Sequence, residues 1–461
     1  LLKELYSGNN YLCVVGDEDQ SIYSFRGAEV ENIVEFPKVF PGTEVIMLEQ
    51  NYRSTGSILD LAVKVVNNNE YRLGKNLWTE NPQGELPVVT QLSNQDEEAL
   101  FCAHILKDRK YAGTAILYRN NYQSRAIETL FIKLGIPYRI VGTLRFYERE
   151  EIKDILAFLK FIVNPKDEIS FKRALNKPSR GIGAKSIEKI IESPGDSFIQ
   201  KSTDARSRLS KKARDGLQYF LDIIDETYTM LESHSLSEVI HSLIIRSGLY
   251  DYYKEMDKKN STTKVQNLEE FVNATNQYPG EMDGLSFFLE ATLLSGSAEN
   301  PYASDGKVTL ITVHNTKGLE FDRVILTGLE DGLFPYISNS EYRDDDDFEE
   351  ERRLFYVGVT RAKNELHLTY CSQRLVFGNY IRQFPSRFLL EIPVDCVRRI
   401  DDEDGKKSGG FSRGMRVMHP EYGAGIIDKK WYNDDDEMVL VKFDTGRYLQ
   451  FISVYSKLEK C

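Results

Sequence analysis

The sequence predicts an α/β protein, interrupted by a long all-helical stretch and followed by a small β-barrel. Three observations carry this expectation. Short apolar runs alternate with helical patterns from 11 to 134 and again from 306 to 371. Between 149 and 303 helical spacing continues with almost no strand signal. After 411 short alternating segments turn at Gly423, Gly425, Asn433 and Gly446, the texture of a small antiparallel barrel.

Taken in order, YLCVVG at 11–16 predicts a buried parallel strand that exits through Gly16-Asp17. A second strand is expected from Glu44 to Leu48, after the Pro41-Gly42 turn. Residues 56–69 place Ile58, Leu59, Ala62, Val65 and Val66 on one helical face, opened by Ser54-Thr55-Gly56. Strands follow at 87–92 and 113–118, with helices at 95–107 and 121–134. The helical stretch divides into 149–163, 168–176, 184–193, 206–232, 235–247, 264–277 and 283–295. KVTLITVH, DRVILTGL and LHLTYC restore strand character between 306 and 371. In EEERRLFYVGVTRA (349–362) a charged run passes into an apolar, strand-like segment. DDEDGKKSGG marks a linker.

A chain of 461 residues is long enough for about three domains. No run of 18 apolar residues occurs, so no membrane-spanning helix is expected. The start, LLKELYSGNNYLC, has neither the pattern of a signal peptide nor an initiator Met, and suits an excised piece of a longer protein. Cys13, Cys102, Cys371, Cys396 and Cys461 lack metal-ligand spacing, as do the six histidines, so no metal site is expected. The formal net charge of −12 hides segregation. Residues 170–216 carry twelve Lys/Arg against five Asp/Glu, while acidic runs such as Asp344–Asp347 and Asp401–Asp404 lie elsewhere.

Four stretches carry chemistry: VVGDEDQSIYSFRGA (14–28), LEQNYRST (48–55), ITVHNTKGLEFD (311–322) and EEERRLFYVGVTRA. In this order and spacing they resemble the later motifs of superfamily 1 DNA helicases of the UvrD, Rep and PcrA type. The phosphate-loop pattern G-x-x-x-x-G-K-[ST] does not occur in the 461 residues. The resemblance implies a RecA-like P-loop motor fold. Residues 1–50 would end a first motor domain, and 51–148 with 304–390 would form the second. An all-helical domain at 149–303 would be inserted in it, followed by a linker at 391–410 and an SH3/Tudor-like barrel at 411–461.

The resemblance also implies roles. Gln20 would read the γ-phosphate, Arg53 and Arg361 would close onto it, Tyr52 would stack on adenine and Glu320 would sit near the ribose. ATP and Mg²⁺ are the implied cofactors. The phosphate-loop lysine and the magnesium carboxylates would lie upstream of Leu1, so Asp17 and Asp19 are assigned no catalytic part. A track for single-stranded DNA needs aromatic platforms and backbone contacts. Tyr23, Phe25 and Arg26 would line it, with Phe25 standing where most relatives have Trp. His314 and Thr316 would touch the DNA backbone, and Arg145, Phe146 and Tyr147 would hold the entering strand. KPSRGIGAKSIEKI (177–190) resembles a helix-hairpin-helix element, in which Arg180, Gly181, Gly183, Lys185 and Lys189 would face duplex phosphates.

The function implied is an ATP-dependent helicase moving 3′ to 5′ on single strands and at duplex junctions, in a bacterial cytoplasm and on the nucleoid. Relatives' C-terminal tails imply RNA polymerase as a docking partner for the barrel. The alternatives are a non-catalytic DNA-binding or protein-docking fragment and a subunit of a helicase-nuclease.

Overall fold

The computed structural model describes residues 6, 12–24, 27–260, 262–297, 306–336, 345–400, 413–419, 423–433, 436–444, 448–452 and 458–460. The chain divides into two compact units, Leu1–Arg399 and Ile400–Cys461.

The first unit is organised by a parallel sheet. Its strands are β1 (Val88–Leu92), β2 (Thr114–Tyr118), β3 (Tyr138–Val141), β4 (Val308–Thr312), β5 (Phe321–Leu326) and β6 (Ala362–Cys371), with β9 (Arg398–Ile400) at one edge. The order is β3-β4-β2-β5-β6-β1-β9. Pairing is parallel from β3 through to β1, with registers such as Ala115 opposite Thr309 and Val324. A parallel sheet is covered on both faces, so its strands are apolar throughout rather than alternating. Every residue of β2 and β4 is buried accordingly. Along β2, Ala115 and Leu117 join a core with Ile58, Val65, Phe355 and Phe388. Ile116 and Tyr118 point the other way, into a core with Cys102, Phe131 and Leu310. That period of two places helices on both sheet faces.

Between β3 and β4 the described residues form nine α-helices, from Glu150–Val163 to Met282–Ser297. Side-chain caps set several starts: Asp167 accepts from the N–H groups of Ile169 and Ser170, and Ser235 forms a capping box with Glu238. Phe158, Phe161, Phe171, Phe220, Phe271 and Phe288 anchor their shared core. Two of these helices, Phe198–Ala205 and Leu249–Asn260, have no counterpart in the sequence reading. The second buries only Leu249 and Tyr253, too few for an apolar stripe.

Three expectations need correction. Residues 12–16 and 44–48 are not strands. A strand exists only through its neighbours' hydrogen bonds, and no described strand pairs with these segments; Val15 and Leu48 stand 89% and 81% exposed. The apolar run LFYVGV is not strand-like either, since the helix Asp345–Val359 continues through it and β6 begins only at Ala362. That run is apolar all round because it is packed on every side, with Leu354, Phe355, Val357 and Val359 at most 1% exposed. Finally, the linker does not begin at 391. Residues up to 400 are structured, and the Arg398 N–H donates to the Pro87 carbonyl at 2.9 Å as the chain enters β9. Residues 401–410 lie outside the described residues.

The second unit is an antiparallel sheet in the order β13-β12-β11-β10-β14, built from Tyr448–Ile452, Asp436–Phe443, Gly423–Asn433, Arg416–His419 and Glu459–Lys460. Val417, Ile427, Val439, Val441 and Phe443 form its core. Gly423 opens β11 at φ +80°, a left-handed conformation that favours glycine.

Candidate nucleotide cleft and nucleic-acid groove

One site is assembled at the amino ends of β5 and β6. The loop Asn51–Thr55 is tied by its own first residue, whose Oδ1 accepts the N–H groups of both Arg53 and Ser54 at 2.9 Å. Ser54 Oγ donates to the Ala362 carbonyl at 2.7 Å, and the Thr55 N–H to the Lys363 carbonyl at 2.9 Å. The loop is thereby stitched to the turn that carries Arg361. Arg53 reaches across it, with Nε 3.0 Å from Glu320 and Nη1 3.1 Å from the Thr360 carbonyl. Lys363 Nζ holds the other Glu320 oxygen at 2.7 Å. These two cations, Lys363 first, keep the Glu320 carboxyl below its usual range.

Arg361 is 1% exposed and donates to the carbonyls of Val357 and Leu319 at 3.0 and 3.2 Å. Burial, and then the neighbouring Arg53, push its pKa down to about 10. The nearby carboxylates of the Glu349–Glu351 run pair with other groups. Glu350 binds Ser24, Glu351 binds Arg119, and Glu349 serves the Glu70 N–H and Arg353. Beside the paired arginines opens a cleft of about 490 Å³ lined by Tyr52, Arg53, Asn81, Pro82, Glu85 and Lys363. Tyr52 is 78% exposed there, its hydroxyl donating to Gln50 at 2.7 Å.

Gln20 sits in a short 3₁₀ turn and donates through Nε2 to Asp17 at 2.5 Å. The acidic residues of that turn are held elsewhere. Arg72 takes both oxygens of buried Asp19 at 2.7 Å, and Lys75 pairs with Asp17, Glu18 and Asp19. Asp17 exerts a minor favourable pull on the Arg361 charge, behind burial, Arg53 and Tyr356.

A second, larger cleft of about 860 Å³ opens at the carboxyl ends of β2, β3 and β4, where residues following the strands line it: Asn120, Asn121, Thr143 and His314. Ser24, Lys264 and Tyr336 add to its walls. Tyr23 Oη donates to the His314 carbonyl at 3.0 Å, and Lys317 Nζ lies 5.6 Å from the Tyr23 ring centre while donating to the Gln20 carbonyl at 3.2 Å. The stretch from Asp17 to Ser24 therefore ends in the groove.

The family model of the UvrD-like helicase C-terminal domain matches residues 46–373, and that of the UvrD/REP helicase N-terminal domain matches 1–41. The chain belongs to the UvrD-like helicase family. It is 37% identical to DNA helicase II of Escherichia coli (strain K12) over 97% of its own length and 66% of that protein. Identity to the ATP-dependent DNA helicase PcrA of Staphylococcus epidermidis is 37%, over 93% of the chain and 63% of that protein. DNA helicase II of Haemophilus influenzae is 35% identical, over 100% and 67%. The chain thus spans about two thirds of the length of the curated relatives it matches.

Within this UvrD-like chain the residues singled out from sequence part company. Tyr52, Arg53, Glu320 and Arg361 gather at the arginine cleft, Gln20 is held by Asp17 and Lys317, and Tyr23 and His314 meet at the groove. Phe25 and Arg26 lie outside the described residues. Four of the assigned side chains are engaged within the protein. Phe146 is fully buried in the helical core, and Tyr147 packs edge-on against it at 5.2 Å, with burial raising its hydroxyl pKa to about 12. The Phe146 ring has no exposed face, whereas Tyr147 is half-buried against the helical core; Arg145 beside them lies over the Tyr138 ring at 5.7 Å. The Thr316 side chain is wholly buried, donating to the Val313 carbonyl at 2.6 Å. Arg180 spends one guanidinium nitrogen on the carbonyls of Ala174, Leu175, Lys177 and Pro178 and another on Ser247, between the rings of Phe158 and Phe220. Gly181 turns at φ +75° and Gly183 caps the helix Ala184–Ile191. On that helix Lys185 and Lys189 are exposed, Lys189 touching the Arg208 carbonyl at 3.2 Å.

Sequence reasoning missed Asn120, Asn121, Thr143 and Lys264. For the first three the signal was positional, because open α/β sheets bind ligands beyond the carboxyl ends of their strands.

Proposed function

We propose that the chain is the C-terminal part of an ATP-dependent DNA helicase that moves 3′ to 5′ along single-stranded DNA and opens duplex ahead of it. The observation that carries this reading is the pairing of Arg53 and Arg361 beside the Tyr52 cleft. Two like charges this close, one of them buried, favour an anion between or beside them.

The residues fit a nucleotide: an exposed ring to stack on a base, a cleft of about 490 Å³, and two guanidinium groups for phosphate. They do not fit magnesium, since Asp17, Glu18 and Asp19 are neutralised by Arg72 and Lys75, and Glu320 by Arg53 and Lys363. No step is therefore routed through the metal. A bound triphosphate supplies the bond to be broken. Arg53 exchanges Glu320 for phosphate oxygen, and Arg361 stabilises charge that develops in transfer. Gln20, released from Asp17, reports the phosphate along residues 17–24 to Ser24 and Tyr23 in the groove, where single-stranded DNA lies along Thr143, His314 and Tyr336. Duplex ahead of the strand meets Lys185 and Lys189 on the inserted helical domain. The C-terminal sheet, read as a Tudor-like barrel, docks a protein, with RNA polymerase the first partner to test.

Arg53 is part-exposed, so Arg53→Ala tests the reading without disturbing the core. In a full-length protein carrying this chain with a phosphate loop, DNA-stimulated turnover is expected to fall at least about 100-fold with single-strand affinity unchanged. Turnover within about threefold of the parent would return Arg53 to a purely structural role. Removing 411–461 should abolish capture of RNA polymerase in a pull-down and leave single-strand binding as it was; retained capture would refute the docking assignment.

A further inference from the structure

Cys396 stands apart from the other buried cysteines. Burial, with carboxylates nearby, pushes the thiols of Cys102 and Cys371 well up and leaves them inert, although the Arg374 guanidinium acts the other way on Cys371. Cys396, 5% exposed, instead meets an amine: Lys64 Nζ is 2.9 Å from its sulfur. Asp395 completes the group, with one oxygen 3.7 Å from Lys64 Nζ and the other 4.0 Å from the sulfur. The lysine side chain is 41% exposed, so a small oxidant reaches the sulfur along it. The described cysteines are free thiols. Within reach of this sulfur the available nucleophile is the Lys64 nitrogen.

We propose that Cys396 and Lys64 form an oxidation-driven covalent bridge, a sulfenamide between Sγ and Nζ, with a peroxide as the oxidant. In the first step the thiolate attacks one peroxide oxygen and the O–O bond breaks. Sulfur is oxidised to sulfenic acid, and the departing hydroxide takes a proton from the Lys64 ammonium to leave as water. That step leaves a neutral amine at contact distance from the oxidised sulfur, with Asp395 still beside both. In the second step the amine nitrogen attacks sulfur, the S–O bond breaks and a second water departs. The product has lost two hydrogens overall. It fastens the helix Gly56–Val66 to the segment that leads into the edge strand β9, closing a loop across a separation of 332 residues.

The test is peptide mass mapping of the intact 461-residue protein after graded hydrogen peroxide, with digestion under non-reducing conditions. The expected species joins the Lys64 and Cys396 peptides at a mass about 2 Da below their sum, resists trypsin after Lys64, and separates on adding dithiothreitol. Lys64→Gln should eliminate it and divert Cys396 to sulfinic acid. Two results in the unaltered protein would overturn the proposal. One is Cys396 carried to sulfinic or sulfonic acid while trypsin still cuts after Lys64. The other is a Cys396 thiol untouched at peroxide levels that oxidise exposed Cys13.

Discussion

Arg361, buried, and Arg180, half-buried, sit in two signature turns, and both have pKa values pushed down to about 10 by loss of solvent. Each donates to main-chain carbonyls. Their surroundings differ in kind. Arg361 has a second guanidinium beside it, Arg53, and an open cleft within that residue's reach. Arg180 has five carbonyls and two phenyl rings around it, and it borders a cleft of about 530 Å³ of its own. An arginine in a motif, even beside a cleft, is thus no evidence of phosphate contact by itself. What sets Arg361 apart is the second positive charge of Arg53 acting on it.

The largest expected effect separates the two arginines directly. In the full-length protein Arg361→Ala should cut turnover at least about 100-fold, whereas Arg180→Ala should leave the turnover of folded protein within about threefold. Both should lose stability, by about 2–4 kcal/mol in a denaturant titration, because each strips several carbonyls of a charged donor. Equal losses of turnover after correction for unfolded protein would erase the distinction. A smaller effect sharpens it on the duplex side. With Arg180 committed to the turn, Lys185 and Lys189 remain to meet phosphate, and changing both to Glu should weaken binding to a junction with a duplex arm. The salt slope should fall by about 1–2 with affinity for a plain single strand little altered. Weakening on both substrates alike would indicate only a change in overall field.

The same contrast marks what was legible in the sequence. Strands β1, β2 and β4–β6 were visible because sheet burial on both faces leaves runs such as TAILY and VTLIT without a charged residue, their threonines buried with the rest. The residues assigned to the nucleotide were visible as motifs, and Arg53, Glu320 and Arg361 lie close together in the fold. What was not legible has a shared cause. Phe146, Thr316 and Arg180 lie in stretches whose composition suits nucleic acid, but burial is decided by distant partners: the helical core for Phe146, a local carbonyl for Thr316, two rings and a helix end for Arg180. Segments 12–16 and 44–48 have strand composition without a described strand beside them. LFYVGV has no polar face because its helix is enclosed, and periodicity cannot tell that from a buried strand.

The stitching of the Asn51–Thr55 loop to residues 362 and 363 has a consequence for how the two arginines act. Ser54 Oγ and the Thr55 N–H fix one turn to the other, so Arg53 cannot approach a ligand independently of Arg361. Whatever movement brings one to the phosphate brings both, in a fixed relative position and at the same instant. Their contributions are then not separable quantities. Losing both side chains is then expected to cost less than the sum of the two single losses.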